Sequence, residues 1–158
     1  MISGQVLGDT EVVARLRRFA PNLREELRRA VTASAFNLQA HVVGQKLSGQ
    51  VLKRKTGALA ASIGFEVGED AEGVQARVGT LKKAVVYARI HEYGGKTAAH
   101  VILPKHKKAL AFGGRVVKRV NHPGSKITEK KFLRSSLDEK KAEFFARIDA
   151  AVRKATTA

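Results

Sequence analysis

The stretch IGFEVGEDAEGVQARV, residues 63–78, decides the fold class. Ile63, Phe65 and Val67 alternate with Gly64 and Glu66, and Val74, Ala76 and Val78 alternate with Gln75 and Arg77. A period of two sends every second side chain to one face, so each run reads as a strand with one buried side. The intervening GEDAEG is polar and bounded by glycine, the composition of a turn. The two runs therefore predict an antiparallel hairpin whose apolar face needs a cover.

Upstream the period changes. Leu23, Leu27, Ala30, Val31, Ser34, Leu38, His41 and Val42 recur at spacings of three and four, while Arg24, Arg28 and Arg29 fall mostly off that stripe. This pattern predicts a long amphipathic helix that ends near Ser48-Gly49. Pro21 suits its first turn. A short helix before it, capped by Asp9 or Thr10, carries Val12, Val13, Leu16 and Phe19 on one side. Downstream, Leu133, Leu137, Phe144, Ile148 and Val152 predict a second long helix over roughly 130–154. Residues 155–158 are expected to form a short disordered tail. Between hairpin and last helix, KKALAF and RVVKRV flank Gly113-Gly114, a connection suited to a tight hairpin, and HVILP is a further extended piece. The expectation is an α+β fold: an antiparallel sheet of four or five strands packed by a long N-terminal helix and a long C-terminal helix. It is expected as a single domain over 1–158, with a core across about 10–154 and an exposed loop at about 94–108.

Composition narrows the function classes. At 44% apolar residues the chain carries enough hydrophobic surface for a globular core, and with 6% aromatics that core must rest on Val, Leu, Ala and Ile. There is no cysteine, which excludes disulfides, thiolate metal sites and cysteine nucleophiles. The N-terminus lacks a basic segment followed by an apolar one, so no signal peptide is expected. No apolar run approaches the roughly 20 residues of a membrane helix, and no membrane partner is expected. Charge is the unusual property: 30 Lys+Arg against 14 Asp+Glu give +16. Residues 105–131 hold Lys105, Lys107, Lys108, Arg115, Lys118, Arg119, Lys126, Lys130 and Lys131 against the single acid Glu129. Such a stripe calls for an acidic partner, either nucleic acid or an acidic protein surface, unless it is merely a solvated face.

The segment YARIHEYGG, residues 87–95, is the one place that resembles a corner of an active site. A zinc-protease motif needs a second histidine one helical turn after His91-Glu92, and that place is held by Gly95. His41, His100, His106 and His122 have no ligand spacing to it, so neither metal nor cofactor nor catalysis is expected. Tyr87, Ile90 and Tyr93 are instead expected to pack inward from a short helix that Gly94-Gly95 ends. No glycine pair is followed by the Gly-Lys-Ser/Thr of a phosphate-binding loop. Thr56 is expected to cap a helix over GALAASI. Nucleic-acid binding through 105–131 has the charge for nonspecific contact. The stretch holds only Phe112 for base stacking and no helix-turn-helix or zinc-finger pattern.

Four stretches taken in order add a resemblance. KTGALAASI (55–63), YARIHEYGG (87–95), HVILPKHKKALAF (100–112) and VNHPGSKITEKKFLRSSLDE (120–139) follow one another. This succession resembles the tail-completion, or head–tail joining, family of long-tailed bacteriophages and related prophages. The match spans about residues 20–150. One departure is visible: the family often has proline before the Phe-Leu-Arg, where this chain has Lys131.

The resemblance implies a virion structural protein without catalysis, synthesised in the host cytoplasm and located in the tail or neck. It implies a ring of identical subunits, often six-fold, contacting the tail tube or tail terminator protein and the head connector or adaptor. It makes Gly94-Gly95 a structural corner before an exposed loop, and His122-Pro123-Gly124 a rigid turn that sets the last helix. Charge clustering marks Lys105, Lys107, Lys108, Arg115, Lys118 and Arg119 as the expected partner contacts. They would face acidic protein, or DNA in the lumen. The alternative is a nonspecific nucleic-acid-binding module using the same basic stretch.

Overall fold

The computed structural model of the chain describes residues 9–53, 55–81, 87–105 and 108–157. These fall into two compact units, one drawn from 1–85 and 133–158 and the other from 86–132.

The first unit opens with helix α1, Asp9–His41. Pro21 lies inside it, so the two helices expected on either side of that proline are one. An exposed proline forfeits one backbone hydrogen bond without having to end a helix, because water can take the freed carbonyl. The side chains of Val12, Val13 and Leu16 lie outside the described residues. From Leu23 onward the stripe is as expected: Val31, Ser34 and Val42 are buried, and Arg24, Arg28 and Arg29 are exposed. The helix then widens into one π turn, Val42–Lys46. Leu47 N–H donates to Val42 O at 3.1 Å, a five-residue step that turns Val42 and Leu47 to one side, and both are buried. The same step brings His41 and Lys46 to one carboxylate, that of Glu139.

Strands β1 (Ile63–Glu69) and β2 (Val74–Thr80) form the predicted hairpin, with Phe65 opposite Val78 and Val67 opposite Ala76. The Asp70 carboxylate accepts from Glu72 N–H at 2.9 Å and Gly73 N–H at 3.0 Å, which closes the four-residue turn. α1 covers the hairpin. Gln39 Nε2 donates to Ile63 O at 2.9 Å, and Phe36 meets Phe65 edge to face at 6.5 Å. Full burial of Ile63 contributes about 2 kcal/mol. The short helix α2, Ala58–Ser62, leads in. Thr56 Oγ1 accepts from Ala58 N–H at 3.3 Å, and Gly57 takes the cap position at φ 75°.

Helix α4, Phe132–Thr157, supplies the rest of this unit. It runs antiparallel to α1: Glu26 meets Lys154, Asn37 meets Glu143 and His41 meets Glu139. Its buried face matches the expected one only in part. Leu133, Phe144 and Ile148 are half-buried, Leu137 and Val152 are exposed, and the fully buried positions are Phe132, Ser136, Ala151 and Ala155. The helix also continues through Thr157, which makes 155–157 helical rather than a disordered tail; Ala158 lies outside the described residues.

The second unit contains α3 (Ala88–Tyr93), β3 (Gly95–Lys96), β4 (His100–Ile102), β5 (Leu110–Phe112), β6 (Arg115–Val117), β7 (Val120–His122) and β8 (Lys126–Ile127). They pair antiparallel as β3–β8, β4–β7 and β5–β6. The expected single sheet of four or five strands is therefore replaced by separate two-stranded pairs. His100, Val101 and Ile102 of β4 are all exposed, so alternation along this strand does not separate a buried face from a solvent face.

Candidate functional site

Nesting makes the second unit a ribbon. Gly95 faces Ile127, Lys96 faces Lys126, His100 faces His122 and Ile102 faces Val120, all with one common offset. Thr97 keeps that offset across the interruption: its N–H donates to Ser125 O at 2.9 Å, and its Oγ1 accepts from Ser125 N–H at 2.8 Å. Residues 95–102 and 120–127 thus form one long antiparallel pair, tipped by the β5–β6 hairpin. Gly113 (φ 54°) and Gly114 (φ 75°) close the tip as a turn that needs positive φ at both positions. Most of the described residues of 94–108, the segment expected as an exposed loop, are exposed, and 95–102 form one side of this ribbon.

At its base α3 ends in Gly94, φ 72°, where a Cβ would come within 3.0 Å of Glu129 N and 3.1 Å of Ile127 O. Gly94-Gly95 is thus a packing corner. The helix buries Ala88 and Glu92, four residues apart, and not Tyr87 or Tyr93, which are exposed. His91 Nδ1 is buried without a hydrogen-bond partner among the described residues, and Tyr87 lies edge-on to its ring at 5.9 Å. Among the described residues no group of three or more His, Cys, Asp or Glu stands close enough to hold a metal.

His122-Pro123-Gly124 sits within the ribbon, between β7 and β8, and not at the entry to α4. Gly124 has φ 86°, and a Cβ there would collide with the Thr97 carbonyl. Its N–H donates to His122 Nδ1 at 3.0 Å, so that nitrogen is the unprotonated one. The His122 ring stacks on His100 with centroids 5.0 Å apart.

Of the expected contact residues, Lys105, Lys108, Arg115, Lys118 and Arg119 are all exposed on the upper ribbon; Lys107 lies outside the described residues. The register adds a pair that sequence reasoning missed, Lys96 directly opposite Lys126. The available signal was the absence of any Asp or Glu from 93 through 128, a span that reaches back past the basic stretch to include Lys96. Beside Lys96 lies an open pocket lined by Arg89, Ile90, Tyr93, Gly94 and Gly95. Apolar side chains are exposed here too, among them Val101, Leu103 and Val116.

The first unit presents a different surface. Phe36, Leu137, Phe145 and Val152 are exposed on its two long helices. Several of its carboxylates are engaged. A hydrogen bond from Lys154 holds the Glu26 carboxyl below the usual carboxylate range, those from Lys46 and His41 do so for Glu139, and Lys140 does so for Glu143. Among the described residues no helix is long and apolar enough to cross a membrane.

No protein-family model matches this chain, and no curated protein or solved structure does so either.

Proposed function

We propose that this chain is a virion structural protein that completes a phage tail and joins it to the head connector as a ring of identical subunits. The observation that carries the reading is the ribbon, an element with no buried residue among the described residues 95–127 and no carboxylate in its sequence. A paired arm with exposed cations serves contact with another molecule better than it serves a core. The order of the four motifs in the sequence supports the particular assignment. The exposed apolar side chains of the first unit support subunit contacts.

In this reading the upper ribbon meets acidic side chains of the tail tube, tail terminator or connector, or the DNA passing through the lumen. The test is Lys105→Glu, Lys107→Glu and Lys108→Glu together. The expected outcome is loss of tail completion in a complementation assay, with thermal unfolding nearly unchanged because the described members of the set are exposed. A triple variant that still completes tails would place the contact elsewhere.

A further inference from the structure

We infer that the ribbon is a duplex-binding arm whose partner is the phosphate backbone of double-stranded nucleic acid. The inference rests on the reading of the ribbon as the molecule's contact element and names what it contacts.

Residues 95–127 hold eight Lys or Arg, three His and no acid. Like charges directly opposite one another weaken a strand pair, yet Lys96 faces Lys126 in the β3–β8 ladder. No carboxylate in the ribbon offsets that repulsion, which leaves the exposed pair open to an anion from outside the ribbon. A broken local rule of this kind marks a functional element. Next along the same register the histidines form a second cross-strand pair, His100 with His122.

The residue type then separates nucleic acid from acidic protein. Six of the eight cations are Lys. Lysine is depleted from protein–protein interfaces, where Arg and aromatics carry the energy, but it neutralises phosphates as well as any cation. Shape agrees. Two strands about 4.8 Å apart fit a major groove about 12 Å wide, and eight residues at up to about 3.4 Å each make an arm of at most about 27 Å. Both outer edges of a two-stranded pair also keep backbone N–H groups free of a third strand, and phosphates accept from such groups. At the base, Tyr93 is exposed in the pocket between Arg89 and Lys96, a place for a sugar–phosphate turn. Phosphate contacts carry no base information, so the arm binds without regard to sequence.

The test is fluorescence anisotropy of the full-length protein with labelled duplexes of about 30 base pairs, two of unrelated sequence, from about 50 to 200 mM salt. The expected result is equal affinity for both and a fall of about 10³-fold or more across the range, as for six or more phosphate contacts. Lys96→Gln with Lys126→Gln should lower the salt slope by about 2, one for each phosphate no longer neutralised. If that pair fails to fold by circular dichroism, Lys118→Gln with Arg119→Gln, beyond the ladders, supplies the same readout. No binding at low salt, or binding that none of these variants changes, overturns the inference. If binding is absent while the Lys105, Lys107 and Lys108 variant still loses tail completion, the partner is acidic protein and the joining reading stands alone. If binding follows the ribbon's charge in variants that complete tails normally, the duplex arm stands and ribbon-mediated joining fails.

Discussion

Lys131 is the only residue other than glycine with positive φ among those described, at 48°. It directly precedes Phe132, where α4 begins. The left-handed conformation costs an L-residue roughly 1 kcal/mol, and the exposed Lys131–Glu129 pair at 2.8 Å offsets little of that. A proline, locked near −65°, could not take the conformation seen here. Lys131→Gly is therefore expected to be neutral or stabilising by up to about 1 kcal/mol, and Lys131→Pro destabilising by about 1–3 kcal/mol. Thermal unfolding of the two variants checks this. A tolerated proline would mean that the entry to α4 readily adopts a second conformation.

The α1–α4 pair is bridged by carboxylates that accept from cations on the facing helix or their own. Glu26, Glu139 and Glu143 all have folded pKa values below the ordinary range, because hydrogen bonds and nearby cations favour the ionised form. In the unfolded chain these groups bind protons more readily, near a pKa of about 4.3. Their contribution is thus fully present above that value and is lost as pH falls through the lower folded values. Urea midpoints should hold from neutrality to about pH 5 and drop below about pH 4. Glu139→Gln should flatten part of that drop, since it removes the carboxylate shared by His41 and Lys46. Higher salt should shrink the effect, because these groups are exposed and screened. A drop of the same size in Glu139→Gln would assign the acid sensitivity to other groups.

At the scale of the whole molecule, charge and apolar exposure oppose each other. A net charge of +16 keeps copies apart, while Phe36, Leu137, Phe145 and Val152 offer surface that a neighbour could cover. If rings form through the first unit, association should strengthen with salt, because screening shortens the repulsion to about 10 Å at 0.1 M. Duplex binding should weaken over the same range. Sedimentation velocity at low and high salt separates the two. Phe145→Asp is expected to hold the protein monomeric at both. Self-association that persists in that variant would locate the contact away from the exposed face of α4.

The first hairpin, the long N-terminal and C-terminal helices and the tight turn at Gly113-Gly114 were legible because each is written in local periodicity or in a turn composition with one conformational solution. So was the basic character of the arm, since charge counts need no coordinates. Three features depended on contacts far apart in the chain. The pairing of Lys96 with Lys126 is a matter of register across 30 residues, and no window around either lysine contains it. Which positions of α4 are fully buried, with Ser136, Ala151 and Ala155 covered while Leu137 and Val152 are exposed, is set by neighbours distant in sequence. The strands of 95–127 share no sheet with β1–β2 because alternation shows which side chains share a face, while tertiary structure decides whether anything covers it.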